Sequence, residues 1–589
     1  MGENHTGPAD IKPYIEWHSI IPLNMARVGN QPLIVLSEES QRTSGRDAQS
    51  MNIMAGRAVA AAIRTTLGPK GMDKMLVDTS GSVVVTNDGV TILEEMEIEH
   101  PVANMVIEVA ETQEEEVADG TTTAVVVAGE LLKNAEELLD RDVHPTTITQ
   151  GYRQAANHAQ EMLAEAALDV STDDRELLEQ LAQTSMTGKG AEGAKEHLAQ
   201  IVVDAVLSVY DDGEVDTDSI DIQNLVGGTV DDSYLIEGVL FKKNPPHENM
   251  PYHLDDANIA IVNSGLEPSE TELDANVKVS DPEQLQEFIA EEEAEVEAMI
   301  DHLHEIGADA VFCLKGIDDL AQHYLAEHGM MALRRIDDED ADRLALATGA
   351  TRVNDVFDIT EDHLGFAGDI TRRQIQDKER LFIDEVENPQ SSTILIRGGT
   401  DHVVDEVERA LEDAIGVIKT VLEDGTVVPG GGAIETAVSR SLRDFADGVG
   451  GREQLAVEAF ADAVDVVPRT LAENAGHDPI DSVVSLRAAH DRGETAAGLE
   501  PNTGDVVDME DDGVLEPLRI KTQAIESATE AAVMILRIDD VISAGDLSES
   551  EDDDDGDAGG MGGGMGGMGG GMGGMGGMGG MGGGMGGMM

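Results

Sequence analysis

Asp119-Gly120-Thr121-Thr122-Thr123 leads directly into an apolar run whose spacing predicts a helix. The free N–H groups at the start of such a helix and the three hydroxyls would face one small volume, which suits phosphate oxygens. The carboxylate repels phosphate, but it can hold a Mg2+ ion that the phosphates share. The stretch therefore predicts a Mg-nucleotide site that lacks the lysine of a Walker-type P-loop. The alternative is an ordinary turn in which a threonine caps the helix.

Acidic residues dominate the charge of the chain. Its 589 residues include 118 Asp and Glu against 38 Lys and Arg, so the net charge at pH 7 is −80. This balance argues against general nucleic-acid binding, which needs clustered Lys and Arg, and against docking on an anionic membrane. Because concentrated salt screens self-repulsion on this scale, we expect a soluble cytoplasmic protein of the halophilic type.

The remaining composition excludes several other classes. The lone cysteine, Cys313, excludes an intrachain disulfide and lies in an apolar run that predicts a buried strand. No apolar run of about 18 or more residues predicts a membrane span, and the first residues do not resemble a secretory signal. Residues 1–24 lack periodicity and are expected to be a non-native or disordered extension. Residues 549–589, acidic and then rich in Gly and Met, are expected to be disordered.

The pattern of predicted elements changes twice along the chain. Apolar residues at helical spacing predict helices in the first large segment, at about 48–67, 101–116, 123–140 and 146–168. The middle of the chain alternates between strands and helices, and its predicted strands include 258–262, 309–313 and 330–335. The helical pattern returns after about residue 430. A helical region that is interrupted by an α/β region predicts a nested insertion, in which the two ends form one domain.

Glycine-rich loops elsewhere in the chain offer further contacts to phosphate. The loop 67–71 follows a helix, the loop 187–190 carries Lys189, and three glycines at 430–432 precede a predicted helix. Taken singly, the loop 67–71 is better explained as a helix stop, Lys189 as an exposed lysine is the ordinary case, and a hinge is the alternative for 430–432. Together they predict several loops that close around one Mg-nucleotide, which is nearly all that phosphoryl transfer requires.

Two carboxylates are candidates for orienting a water molecule. Asp88 lies in the segment 86–89, which predicts a hairpin-type turn with the carboxylate at its tip. Asp413 lies on an amphipathic helix, where an acid is ordinarily a solvated surface residue. Neither position predicts catalysis alone.

Long blocks of the chain, in the same order, resemble the group II chaperonins, which are the archaeal thermosome and its relatives. The resemblance runs from about Gln31 to about Leu547, and its strongest blocks are Arg64–Leu76, Val85–Leu93, Arg397–Thr400, Val428–Ala433, Pro468–Gly476 and Leu536–Asp540.

This resemblance implies a multidomain α + α/β fold. It has a mostly helical equatorial domain at 25–172 and 431–548 and a small intermediate domain at 173–242 and 396–430. An α/β apical domain at 243–395 is inserted, and a helical protrusion at 266–300 serves as a lid.

The resemblance also implies a role for each position in the site. It makes Asp119 the Mg2+ ligand, and it makes Asp88, Asp413 and Lys189 catalytic, with the two acids holding the attacking water and the lysine contacting the γ-phosphate. The expected contacts to ATP come from Leu67, Gly68, Pro69, Lys70, Gly120, Thr121, Thr122, Thr123, Gly431, Gly432 and Glu516. Glu516 would lie near the ribose, and K+ is expected beside Mg2+ and ATP.

By this resemblance, the chain is an ATPase subunit that encloses and folds non-native proteins. Its expected partners are unfolded proteins and other subunits in two stacked rings of eight or nine, with no nucleic acid, membrane or separate lid co-chaperonin. An ATP-independent holdase and a small-molecule kinase are the alternatives; the acids argue against the first, and the second lacks an acceptor pocket.

One departure from the family motif is Ala118, which stands where a glycine is usual. An alanine there would strain the loop if the position needs a positive φ.

Overall fold

A computed structural model of the chain places Thr43–Val541 in one compact unit. The described residues are 26–28, 31–33 and 42–542 without 78, 97, 172–173, 191–192, 212, 269–281, 376–377 and 387–389. The predicted extension at 1–24 and the predicted tail at 549–589 lie outside these residues.

Helices account for most of the regular structure. In chain order they are α1 (Arg46–Ile63), α2 (Gly89–Glu94), α3 (Pro101–Val117), α4 (Thr121–Asp140), α5 (Pro145–Ala166), α6 (Arg175–Met186), α7 (Lys195–Val209), α8 (Pro282–Glu305), α9 (Asp319–Glu327), α10 (Asp338–Thr348), α11 (Asp401–Asp424), α12 (Ala433–Ala446), α13 (Glu453–Val464), α14 (Val466–Asn474), α15 (Pro479–Asp491) and α16 (Leu518–Leu536). The helices predicted in the first segment correspond to α1, α3, α4 and α5, although α1 ends early because a 3-10 turn follows it at Arg64–Thr66.

The strands are short apart from those of the middle segment. They are β1 (Ala26–Val28), β2 (Gln31–Leu33), β3 (Arg42–Ser44), β4 (Lys74–Val77), β5 (Val83–Thr86), β6 (Leu168–Asp169), β7 (Tyr210–Asp211), β8 (Glu214–Val215), β9 (Ile220–Val226), β10 (Tyr234–Ile236), β11 (Val239–Phe241), β12 (His253–Val262), β13 (Ala310–Cys313), β14 (Met331–Arg334), β15 (Arg352–Val353), β16 (Gly365–Ile375), β17 (Lys378–Asp384), β18 (Ser392–Gly398), β19 (Thr426–Pro429), β20 (Ala497–Leu499), β21 (Val506–Asp508), β22 (Leu515–Pro517) and β23 (Asp540–Ile542). The three strands predicted in the middle of the chain are β12, β13 and β14.

The largest core is helical and joins two distant parts of the chain. Helices α1, α3, α4 and α5 pack with α12, α13 and α16. Most of the buried side chains are aliphatic, and the rings of Tyr152 and Phe460 meet edge to face, with 5.6 Å between their centroids. Among the described residues, no buried member of this core comes from between Leu163 and Val428.

A second core lies between helices and a small sheet. Helices α7 and α11 cover a three-stranded sheet in the order β10-β18-β9, in which β9 and β18 are parallel, and α6 packs against these two helices. Helix α11 is well delimited, because the Thr400 hydroxyl accepts a hydrogen bond from the N–H of Val403 and Gly425 ends the helix in the left-handed conformation. This long helix reaches from the small sheet to the functional site described below.

The middle of the chain forms a mixed sheet that is covered on both faces. Its main order is β11-β17-β16-β12-β13-β14, with β15 beside β12, and β12, β13 and β14 are mutually parallel neighbours. Helix α10 packs on one face, whereas α8 and α9 pack on the other. A helical core combined with an α/β sheet is the predicted fold class.

Of the predicted protrusion at 266–300, residues 269–281 lie outside the described ones, and α8 accounts for its last part. Across the described residues, no helix is both long and apolar enough to span a bilayer.

Candidate functional site

One cavity of about 600 Å3 collects loops from both halves of the helical core. Every position predicted above for metal, nucleotide or water lines it: Leu67, Gly68, Pro69, Lys70, Asp88, Asp119, Gly120, Thr121, Thr122, Thr123, Lys189, Asp413, Gly431, Gly432 and Glu516. These positions are separated by hundreds of residues in sequence, so the fold brings them together.

The start of helix α4 forms one wall of the cavity. Gly120 is the residue before the helix and has φ 82°, and Thr121 begins the helix. The Asp119 carboxylate accepts a hydrogen bond from the N–H of Gly120 at 2.7 Å. The buried Gln113 amide donates to the carbonyl oxygens of Asp119 (2.8 Å) and Ile520 (3.2 Å). Gln113 therefore anchors the loop that carries Asp119, and the first residues of the helix, which have free N–H groups, line the cavity.

Ala118 adopts the left-handed conformation that its motif position would suggest for glycine. Its φ is 54° and its ψ is 10°. An L-residue held there costs on the order of 1 kcal/mol. Gly416 on α11 leaves room for the Ala118 methyl group, since a Cβ built at Gly416 would lie 2.2 Å from that of Ala118. The backbone strain at Ala118 is therefore present in a loop that packs closely against α11 at Gly416.

The segment 86–89 is a strand-to-helix junction, so the prediction of a hairpin-type turn is wrong. Strand β5 ends at Thr86, and Asp88 caps α2 by accepting a hydrogen bond from the N–H of Thr91 at 2.7 Å. An Asp-Gly pair signals a change of direction, but the apolar residues that follow form a buried helix rather than a return strand. The Asp88 carboxylate lines the cavity.

Lys189 and Asp413 form an ion pair inside the cavity. Asp413 is only 6% exposed, so the expectation of a solvated surface acid is wrong. Helix α11 packs against other elements on several sides, which an amphipathic pattern alone does not reveal. The loop that carries Lys189 is anchored by Asn87, whose side-chain amide donates to the carbonyl of Gly188 at 2.8 Å.

Several carboxylates compete for ionisation in this confined space. Burial raises the pKa of Asp413 to about 7; Lys189 opposes this, and Asp119 and Asp88 reinforce it. Burial would lower the pKa of Lys189, but Asp413 and Asp119 outweigh it and raise that pKa. The lysine therefore stays protonated, and the cluster keeps an excess of negative charge that a cation would neutralise.

Sequence reasoning missed Glu114, which also lines the cavity. Burial raises the pKa of Glu114 to about 8, and Asp413, Asp88 and Asp119 act in the same direction. One of its carboxylate oxygens is buried and has no hydrogen-bond partner among the described atoms. The three consecutive glutamates 114–116 look like a solvated helix face in the sequence, so no local signal singles out the first.

We expect Glu114→Gln to become more stable relative to the unmodified protein as the pH rises from 5 to 8. Glu114 in the unfolded chain loses its proton near its ordinary pKa, whereas the folded protein retains it up to about pH 8, so stability falls with pH in this window. Glutamine removes this pH dependence. Relative to the unmodified protein, the free energy of unfolding of the variant should therefore rise by about 2 kcal/mol between pH 5 and 8. This is roughly half of what the full linkage of about 1.4 kcal/mol per pH unit would give over that window. Thermal unfolding in concentrated KCl at both pH values measures the difference. The exposed neighbour in Glu115→Gln is the matched control, and a difference that does not vary with pH would contradict the assignment.

The opposite wall of the cavity combines glycines with apolar and acidic side chains. Gly432 has φ 79° and lies against Pro468, where a Cβ would approach to 2.8 Å. Glu516 comes from β22, which pairs with β19 directly beside these glycines. Further lining residues that the sequence did not single out are Leu499, Pro501, Asn502, Met509 and Asp512. The glycine-lined wall therefore accepts flat or apolar ligand surface, with a carboxylate at its edge.

The donor set fits Mg2+ held partly by a ligand. Carboxylate and hydroxyl oxygens are the donors that Mg2+ prefers, and Asp119 stands next to the start of α4. Within the described parts of the chain, no group of three or more His, Cys, Asp or Glu is arranged to hold a metal ion alone.

The sequence matches known proteins of one family along almost the whole chain. The model of the TCP-1/cpn60 chaperonin family matches residues 59–546. The chain is 64% identical to thermosome subunit 1 of Haloferax volcanii over 88% of its own length and 92% of the relative. It is 64% identical to thermosome subunit alpha of Halobacterium salinarum, over 89% and 93% of the two chains. It is 57% identical to the thermosome subunit of Methanopyrus kandleri, over 89% and 97%.

Proposed function

The chain belongs to the TCP-1/cpn60 chaperonin family, as a group II chaperonin of the halophilic type, and we propose that the cavity beside α4 is its Mg-ATP site. The protein is an ATP-dependent chaperonin, so it binds and hydrolyses a nucleotide. One observation carries the proposal: the start of α4, three glycine loops and the acids Asp88, Asp119 and Asp413 meet at one cavity. Its volume of about 600 Å3 falls within the usual range for a ligand of this size.

Each wall of the cavity has a distinct task in this proposal. The N–H groups and hydroxyls of 120–123 hold the phosphates on one side, and the loop 67–70 holds them on the other. Asp119 binds Mg2+, which neutralises phosphate charge when it is present. Gly431 and Gly432 lie against the nucleoside, with Glu516 at the ribose. K+ is the accompanying monovalent cation of a salt-rich cytoplasm.

Hydrolysis needs one water molecule in line with the γ-phosphate. We assign Asp88 and Asp413 to hold this water, with Asp413 accepting its proton as the oxygen bonds to phosphorus and ADP leaves. In the structure, Lys189 is paired with Asp413. An incoming γ-phosphate offers Lys189 a stronger partner, which frees the Asp413 carboxylate for the water. The lysine thereby couples the arrival of nucleotide to the activation of the base.

Removal of the metal tests the proposed role of Asp119. We expect excess EDTA to abolish phosphate release in concentrated KCl, and Asp119→Asn to raise the Mg2+ concentration for half-maximal rate at least about tenfold. Asp512→Asn is the matched control, because it removes an exposed carboxylate that lines the same cavity. The same Mg2+ dependence in the two variants would rule out Asp119 as the ligand.

The wider assembly extends the proposal beyond one subunit. We propose an equatorial domain at 25–172 and 431–548 that contains most of the helical core, and an intermediate domain at 173–242 and 396–430 that contains most of the second core. The proposed apical domain at 243–395 contains the mixed sheet apart from β11. As a chaperonin subunit, the chain assembles into oligomeric rings. We propose two stacked rings of eight or nine, closed by the protrusion at 266–300 without a separate co-chaperonin, with non-native proteins as clients in the cytoplasm.

A further inference from the structure

Lys521 is a buried cation that lies between two carboxylates and itself lines the cavity of the proposed nucleotide site. Its Nζ lies 2.9 Å from an Oε atom of Glu435 and 2.5 Å from an Oε atom of Glu516. Lys521 and Glu435 are only 7% and 6% exposed. Glu516 is more open and lines the cavity. The triad therefore connects the core of the helical domain to the cavity edge.

The triad carries one more negative than positive charge. Neither Glu435 oxygen has a well-aligned hydrogen bond among the described residues, so Lys521 is the partner that compensates this carboxylate. Burial raises the pKa of Glu516 and Lys521 opposes this, while Glu435 reinforces it. Burial would lower the pKa of Lys521, but the two glutamates outweigh it and raise that pKa. Lys521 thus remains charged and favours an ionised Glu516.

A buried ion triad is a poor source of stability, because desolvation offsets most of the attraction. The geometry of the triad does, however, orient the Glu516 carboxylate. Strand pairing between Val428 and Glu516 fixes the backbone of Glu516, and Lys521 holds one oxygen of its carboxylate. The other oxygen lies beside Gly430, where a Cβ would come within 2.8 Å of it. Lys521 therefore holds the carboxylate through one oxygen, while the other oxygen packs beside Gly430 at the cavity wall.

We propose that Lys521 is a positioning residue that orients Glu516 to accept hydrogen bonds from the ribose hydroxyls of the nucleotide. This inference rests on the proposed function, in which Glu516 lies at the ribose. It assigns selection of ribonucleotides over deoxynucleotides to the contact between Lys521 and Glu516. A hydrogen bond to an ionised acceptor changes affinity by about tenfold to a hundredfold, so selection of this size should depend on Lys521.

The test compares ATP with 2′,3′-dideoxy-ATP as substrates of the full-length assembled protein in concentrated KCl. We expect the unmodified protein to show a KM at least about tenfold lower for ATP. Lys521→Met should reduce this ratio to about threefold or less, with the loss in KM for ATP rather than in kcat. Because Lys521→Met leaves the carboxylates of Glu435 and Glu516 without their shared cation, it could act through charge imbalance alone. The paired change Glu435→Leu with Lys521→Met leaves the net charge of the triad unchanged and should have the same effect.

Two controls separate the possible outcomes. Glu435→Gln leaves the contact between Lys521 and Glu516 in place and should retain the ratio of the unmodified protein. A paired variant that still discriminates between the nucleotides like the unmodified protein would overturn the role of Lys521. If the unmodified protein hydrolyses both nucleotides equally well, the inference falls together with the ribose contact of Glu516. In that outcome the Mg-ATP site at Asp119 would still stand, and its own failure would appear instead as an Asp119→Asn variant without any change in Mg2+ dependence.

Discussion

Asp413→Ala is expected to lower kcat for ATP hydrolysis by about 10²- to 10⁴-fold, the range for the loss of a general base. The buried Asp413 carboxylate on α11 lines the cavity, and in the proposed mechanism it holds the attacking water together with Asp88. Such a loss corresponds to about 3–5 kcal/mol of transition-state stabilisation. Binding of ATP should change much less, because the proposal assigns the phosphates to 67–70 and 120–123 rather than to Asp413. Phosphate release and nucleotide binding, measured on the same preparation in concentrated KCl, separate the two effects.

Removal of this acid leaves Lys189 without its partner, so the experiment needs a matched control and a gentler variant. Asp401→Asn removes an exposed acid at the start of the same helix and should leave the rate unchanged. Asp413→Asn preserves the shape of the side chain and should lose nearly as much activity as Asp413→Ala. Retention of more than about a tenth of the original kcat by a folded Asp413→Asn variant would exclude Asp413 as the general base.

Lys189→Met is expected to have the second largest effect, a loss of about 10²- to 10³-fold in kcat, because a preorganised positive charge is removed from the transferring phosphoryl group. It should also change the pH dependence. Lys189 lowers the pKa of Asp413 against the effect of burial, so its removal raises that pKa further. Asp413 must be ionised to accept a proton, so the acidic limb of kcat/KM should move to higher pH, by about one to three pH units.

Lys419→Met is the matched control for this variant, because it removes another half-buried lysine, on α11, that does not line the nucleotide cavity. Its pH profile should coincide with that of the unmodified protein. A Lys189→Met variant with reduced activity but an unshifted acidic limb would show that the ion pair with Asp413 does not govern the base.

Local sequence patterns predict the elements of this protein well where periodicity is long. The helix predicted at about 123–140 is present and begins at Thr121, but its N-cap is Gly120 and no threonine side chain caps it. The parallel strands β12 to β14 stand out as short apolar runs between helices. The hairpin predicted at 86–89 failed because the chain continues into a buried helix, which depends on packing that a turn signal does not contain.

Local patterns could not predict which charged side chains are buried together, because their partners are distant in sequence. Asp413 and Lys189 are 224 residues apart in sequence, and neither position indicates that the two side chains meet. Glu114 belongs to a run of acids, and Lys521 to an ordinary amphipathic helix, so their burial follows only from the fold. The resemblance to chaperonins assigns roles to many of these positions, but it does not reveal which charges are buried together.

The central claim is that loops distant in sequence bind a metal-bound triphosphate, while Asp88 and Asp413 orient the water molecule that cleaves it. The most direct measurement is an electron cryomicroscopy structure of the assembled protein in concentrated KCl with Mg2+, ADP and aluminium fluoride. We predict Mg2+ at about 2.0–2.1 Å from an Asp119 carboxylate oxygen, Lys189 turned from Asp413 to the fluoride, and a water between Asp413 and Asp88. A nucleotide bound elsewhere, or a metal ion without Asp119 among its ligands, would contradict the claim.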